Sequence, residues 1–250
     1  MSDTQFDDEI LDSNAISPTD EEGNPVPVTI PIALAPGVTV VYTTRLGGVS
    51  HGDFGDCNLG GKGGDDPQAI LANRVSLAKS VGCGLSLVSQ VHSGRAVDVD
   101  ASWHLNTPFG FDVSGTPCEV TADGEAQAAT VVEADGQVTS RAGVALGMFA
   151  AACPPVLMAD AQAGVIGAAH CGRKGLQRGI IGATIDAMVA KGAAPERIAA
   201  TLGPCLCGDC YEVGDAIADG FDAQFPGTFT LTRFGGPGID IAKAARMELA

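Results

Sequence analysis

The chain has 250 residues, 45% of them hydrophobic, which is enough to bury one substantial core and makes one large domain the expectation. Thirty acidic residues against fourteen basic ones give a formal charge of −16, and no Lys/Arg cluster stands ready to neutralise phosphates along a duplex, so nucleic acid is not an expected partner. No apolar run reaches the ~18 residues of a spanning helix, and the N-terminus lacks the basic start and apolar stretch of a signal peptide, which predicts a cytoplasmic protein without a membrane partner.

The acidity is uneven. Asp3, Asp7, Asp8, Glu9, Asp12, Asp20, Glu21 and Glu22 fall in the first 22 residues with no Lys or Arg among them, which predicts a disordered, solubilising tail over 1–25 and a single domain over 26–250. Val26 to Leu34 and Val38 to Thr44, rich in β-branched residues and separated by Pro36-Gly37, read as two strands around a turn. A glycine-rich stretch then runs from Thr44 to Asp66, too polar and too rich in Gly for regular structure, with its backbone open to a ligand or to an irregular surface path. It ends at a helix start, with Asp66 as N-cap, Pro67 in the first position, and Ile70, Arg74, Leu77 and Val81 at helical spacing.

Leu85 to His92 and Arg95 to Val99 read as a hairpin closed by Ser93-Gly94, with His92 at a strand end. Residues 102–140 carry several Gly, Thr and Pro and read as loop or edge strand. Val144 to Phe149, Pro155 to Asp160 and Gly164 to His170 are three short apolar runs that fit a buried β-meander. Leu176, Ile180, Ile181, Ile185, Met188 and Val189 form an apolar helical stripe ending near Gly192, followed by a strand at Ile198 to Leu202. Further helices are predicted around Glu212 to Phe221 and from Asp240 onwards. This order predicts an α+β fold, α/β-like in its alternation, built as a mixed β-sheet sandwich flanked by helices.

Eight cysteines without an export signal fit reduced core residues or metal ligands better than a disulfide framework. His92, Cys153 and His170 are the residues whose chemistry suits a site. Imidazole and thiolate are good zinc ligands, and three protein ligands leave a fourth tetrahedral position for water. Their spacing is not that of a local zinc motif, and on the residues alone Cys153 reads more readily as core and each histidine as a satisfied surface or core residue. Cys205, Cys207 and Cys210 make a C-x-C-x-x-C cluster that reads as a packed turn rather than a separate metal site. Cys171 is expected on the face opposite His170. His51, in the glycine-rich loop, is placed to cover a pocket but reads more readily as a solvated loop histidine, and His104 has no supporting context. Asp135, Asp160 and Glu212 are carboxylates able to move protons, but each reads as readily as a turn or cap residue.

Five segments in order carry a resemblance. They are TTRLGGVS (43–50) with NLGG (58–61), GDDPQAILANRVSL (64–77), QVHSG (90–94), ACPPVLMAD (152–160) with GAAHCGRKGL (167–176), and GPCLCGDCYEVG (203–214). As a set they resemble the YfiH family, also known as laccase-domain or polyphenol-oxidase proteins. The resemblance implies a YfiH-like fold, Zn2+ held by His92, Cys153 and His170, and purine nucleosides and phosphate as substrates. The implied activities are phosphorolysis of adenosine, guanosine, inosine and methylthioadenosine, and deamination of adenosine. Phosphorolysis needs cationic or backbone donors for phosphate, for which Arg45, Gly47, Gly48, Arg173 and Lys174 are the candidates. Arg45 fits a surface salt bridge equally well.

Two departures from the family pattern stand out. Ala152 takes the place of an Asp before the Cys, and Gly172-Arg173-Lys174-Gly175 replaces Gly-Trp-Arg-Gly. The chain also stops before the closing carboxy-terminal segment that the family leads one to expect. Two other readings follow: a metal-free hydrolase with Cys153 as nucleophile and His92 or His170 as base, or a nucleoside-binding protein degenerate at Ala152. A copper oxidase fits poorly, because four histidines are too few for a multicopper centre.

Overall fold

The structure is a computed structural model that describes residues 19–102, 119–120, 126–127 and 132–250. The expected tail over 1–18 and His104 lie outside the described residues. Residues 19–25, grouped with the tail on composition, form a turn in which Asp20 accepts from the backbone of Glu22 and Asn24.

β1 (Thr29–Ala35) and β2 (Val38–Thr43) form the expected antiparallel hairpin. Helix α1 (Pro67–Val81) begins where capping chemistry requires: Asp66 accepts from the Gln68 N–H, Pro67 opens the helix, and Gly82 closes it in the left-handed region at φ 65°. β3 (Gly84–Ser86) and β4 (Ala96–Asp98) follow, then the short α2 (Val99–Ser102), β5 (Glu119–Val120), β6 (Ala126–Gln127), β7 (Gly136–Thr139) and β8 (Val144–Leu146). β9 (Pro155–Asp160) and β10 (Val165–His170) are followed by α3 (Arg173–Gln177), α4 (Ile180–Ala190), β11 (Ala199–Leu202), α5 (Asp215–Gln224), β12 (Phe229–Leu231), β13 (Pro237–Ile239) and α6 (Ile241–Leu249).

The central sheet has five strands in the order β11-β9-β10-β7-β4, antiparallel except for the parallel pair β4 and β7. Helix α4 covers the middle of it, against β10, β7 and β4. The main core lies between this sheet and helices α3 to α6, where Val156, Met158, Leu176, Ile180, Ile181, Met188, Phe221, Ile239 and Ile241 are buried together. β1 runs beside β9 and β11 and adds a further β layer. The architecture is mixed α+β, with small sheets around the central one.

Three expectations are corrected. Residues 85–99 do not form a hairpin: β3 pairs in parallel with β8, β4 pairs in parallel with β7, and the chain between them turns at His92. The meander shrinks to the β9–β10 hairpin, because β10 takes β7 as its second neighbour, drawn from the weakly patterned stretch. The helical stripe after residue 176 breaks into α3 and α4 at Gly179, which sits at φ 72°. Short strands whose two faces are both buried look alike in sequence whichever neighbour they take, so pairing is decided by the tertiary fold.

Candidate functional site

Three separate connections converge at one end of the central sheet. His170 ends β10, Cys153 lies two residues before β9 opens at Pro155, and β9 and β10 are neighbours with His170 opposite Pro155. The 90–95 turn brings in His92. It is pinned from two sides, since Gln90 donates to and accepts from the Phe149 backbone (2.8 and 2.7 Å) and Arg178 donates to the His92 carbonyl at 2.6 Å. His92 sits at φ 59°, the one left-handed non-glycine among the described residues, a conformation worth ~1–3 kcal/mol of strain that its surroundings must hold.

Asp135, immediately before β7, does much of that holding. Its buried carboxylate accepts from the backbone N–H groups of Val91 (3.2 Å), His92 (3.0 Å) and Ser93 (2.6 Å), from the Ser93 hydroxyl (2.7 Å), and from His170 Nδ1 at 2.8 Å. One side chain thus fixes both the turn that carries His92 and the ring of His170. Burial opposes its charge, but the hydrogen bonds from His170 and Ser93 outweigh that and bring its pKa down to about 2. Burial likewise disfavours charge on His170, yet its hydrogen bond to Asp135 and the neighbouring Cys153 lift it to about 9. Burial, and then the neighbouring His170, push His92 below its ordinary value.

The ligating atoms of His92, Cys153 and His170 all lie within 4.8 Å of one another. A zinc ion bonded at ~2.3 Å to sulfur and ~2.05 Å to nitrogen at a tetrahedral angle needs those two atoms roughly 3.6 Å apart; His92 Nε2 and Cys153 Sγ are 3.7 Å apart. Asp135 accepts the hydrogen bond of the His170 Nδ1–H and so leaves Nε2 for the other two ligands, the usual arrangement around a metal-bound histidine. The donor set and the His92–Cys153 spacing therefore suit a zinc ion. Gly172 closes over the cluster: a Cβ there would lie 2.6 Å from His92 Cδ2 and 2.9 Å from Cys153 Sγ.

A cleft of about 190 Å3 opens onto this cluster, lined by His92, Cys153, Arg173, Lys174 and Tyr211. A larger hollow of about 480 Å3 lies between the glycine-rich loop and the start of α1, walled by His51, Phe54, Asp65 and Asp66 among others. Its carboxylates suit an anionic substrate poorly, and none of the three clustered residues reaches it. Of the phosphate candidates, Arg173 and Lys174 border the cleft. Arg45 is exposed and packs over Gly55, while Gly47 and Gly48 press against Val26 and Pro27, and against Asp56, Cys57 and Asn73, respectively. The glycine-rich loop is held down from α1, where buried Asn73 bonds the Val49 N–H, the Ser50 hydroxyl and the Asn58 carbonyl.

The three carboxylates separate cleanly. Asp160 stands at the far end of β9, roughly 17 Å of strand from Pro155, and binds Arg197 and the Ala194 N–H. Glu212 accepts from Thr232. Among these three, only Asp135 touches the cluster. Sequence reading did not assign Asp135 or Gln90 their roles, because both act through backbone groups that lie close only after folding; the Gln-Val-His segment was the one signal for Gln90. Cys171 points into the core, away from the cleft. Ala152 is exposed, and its carbonyl accepts from the Leu206 N–H at 2.9 Å.

A family model described as multi-copper polyphenol oxidoreductase laccase matches residues 39–250. The chain belongs to this family. Within it, the chain is 40% identical over 212 residues to purine nucleoside phosphorylase ORF3 of Streptomyces griseus, covering 84% of this chain and 77% of the relative. It is 30% identical over 188 residues to adenosine deaminase RL5 of an unknown prokaryotic organism, covering 74% of this chain and 66% of that one. The solved structure of Bacillus licheniformis hypothetical protein YfiH superposes with a TM-score of 0.70 at 26% identity, over 90% of this chain and 81% of that one. The laccase-family fold is thus shared well beyond the matched motifs. Among the described residues no helix is long and apolar enough to cross a membrane.

Proposed function

We propose that this protein is a cytoplasmic, zinc-dependent purine nucleoside phosphorylase acting on adenosine, inosine, guanosine and methylthioadenosine, and that it also deaminates adenosine. Residues 26–250 serve as its single catalytic domain. The observation that carries the proposal is the convergence of His92, Cys153 and His170 on a cleft whose other walls are Arg173, Lys174 and Tyr211. The activities for which the two relatives are named support it.

Zinc held by the three residues would supply a Lewis acid with an open fourth position, where bound water is acidified. In phosphorolysis a phosphate oxygen bonds to the anomeric carbon as the bond to the base nitrogen breaks, and the base departs with a proton. Arg173 and Lys174 bring positive charge to hold the phosphate, and Tyr211 offers a ring wall and a phenol for base or ribose. Asp135 keeps the His170 proton on Nδ1. With Ala152 beside Cys153, the neighbouring side chain contributes no titratable group to the proton movements of deamination.

One further observation favours a second reading. Asp135 bonds the His170 ring, and Cys153 lies beside that ring, the order of a cysteine nucleophile with an oriented base. The experiment that separates the two is elemental analysis of purified protein and of Cys153→Ala, beside an assay of adenosine with phosphate for adenine, inosine and hypoxanthine. One zinc per chain, lost in the variant together with phosphate-dependent base release, is the result expected. Turnover that persists without zinc would favour the cysteine hydrolase, and nucleoside binding without turnover the degenerate binding protein.

A further inference from the structure

The C-x-C-x-x-C cluster lies outside the zinc site, and its geometry has a use of its own. Residues 207–210 form a tight turn: the Cys210 N–H donates to the Cys207 carbonyl at 3.0 Å, and the Tyr211 N–H donates to the same oxygen at 3.1 Å. A hydrogen-bonded turn of four residues keeps its end Cα atoms within about 7 Å, and disulfides span Cα separations of about 4.4–6.8 Å. The neighbouring Cys207 side chain raises the Cys210 thiol above its ordinary value, and Cys207 is exposed. The turn is also anchored from outside, by Thr230 to the Gly208 carbonyl (2.9 Å) and by the Arg233 N–H to the Asp209 carbonyl (2.9 Å).

We propose that Cys207 and Cys210 form a redox-active dithiol, which a low-molecular-weight disulfide converts to an intrachain disulfide. The exposed Cys207 thiolate attacks one sulfur of the small disulfide, forming a mixed disulfide and expelling one thiolate. Cys210 then attacks the Cys207 sulfur, forming the intrachain bond and expelling the second small thiolate. Two protons leave the protein with two electrons and end on the two released thiols. Because the turn already holds the two Cα atoms within disulfide range, the second step closes only a short loop. The pair sits beside the cleft: Tyr211, which follows Cys210, lines it, and Leu206, which precedes Cys207, is bonded to the carbonyl next to Cys153.

The test equilibrates the protein with oxidised and reduced glutathione, traps free thiols by alkylation, and maps the peptide 198–233 by tandem mass spectrometry. The expected result is a peptide lighter by two hydrogens that has lost two alkylation sites, with Cys207 joined to Cys210 and Cys205 alkylated. Cys210→Ser should stop at the glutathione adduct on Cys207, whereas Cys205→Ser should leave the bridge unchanged. A Cys205–Cys207 bridge, a lasting glutathione adduct on Cys207 of the unmodified chain, or a peptide that stays fully alkylated would each overturn the proposal.

Discussion

Replacing Asp135 by Asn keeps the shape of the side chain and removes one thing, the ability of both oxygens to accept. One oxygen takes the His92 N–H and His170 Nδ1, and the other takes the Val91 and Ser93 N–H groups and the Ser93 hydroxyl. An amide in either orientation therefore sets an NH2 against at least two donors. If it faces His170, the imidazole must move its proton to Nε2 and loses the lone pair that a metal needs; if it faces Ser93, the His92 turn loses its anchor. Hydrogen bonds to a charged group are worth ~1.5–3 kcal/mol each, and Asp135 is buried, so water does not screen the loss. Two such bonds amount to roughly 3–6 kcal/mol, a large part of the ~5–15 kcal/mol that stabilises a typical domain. At ~2–4 °C per kcal/mol for a domain of this size, the melting temperature should fall by at least about 6 °C, and zinc affinity by about 10–100-fold. Competition against a chromophoric chelator and thermal melting of the metal-free protein measure the two separately. A zinc affinity within about threefold of the parent and an unchanged melting temperature would refute the assignment of Asp135 as the group that holds the site together.

Gly172→Ala places a methyl group against His92 and Cys153 while its backbone, at φ −65°, tolerates alanine. It should therefore cut zinc binding by at least about tenfold with little change in the melting temperature, as chelator competition and calorimetry would report. Arg173→Ala and Lys174→Ala should each raise the KM for phosphate about tenfold, the worth of one charge-assisted contact, with the KM for nucleoside moving less in steady-state assays. Acid stability should follow Asp160, which Arg197 and the Ala194 N–H lower to about 2, and Asp135, held equally low. A carboxylate whose folded value lies below its unfolded one stabilises above the unfolded value and ceases to do so as pH falls through the folded one, so melting temperatures should drop between about pH 4 and pH 2. Asp160→Asn should already be less stable at neutral pH and should show a shallower acid drop; an unaltered profile would remove Asp160 as its source.

Local chemistry was enough to place α1, α6, the β1–β2 turn and the β9–β10 hairpin. Caps such as Asp66 and Asp240, turn residues such as Pro36-Gly37, and buried runs such as Pro155–Asp160 act over a few residues, and their signals survive in one dimension. Residue types and their resemblance to a family pattern also singled out His92, Cys153, His170, Arg173 and Lys174. Strand partners were another matter: β7 hides in a weakly patterned stretch, and β3 and β4, close in sequence, join different sheets because their partners arrive from later in the chain. The same reason kept Asp135 among three equivalent carboxylates until folding set it within reach of two backbone segments and one imidazole. Which residues the sequence contains determined the chemistry open to the protein; which of them meet was decided by contacts between residues dozens of positions apart, and no local pattern encodes those.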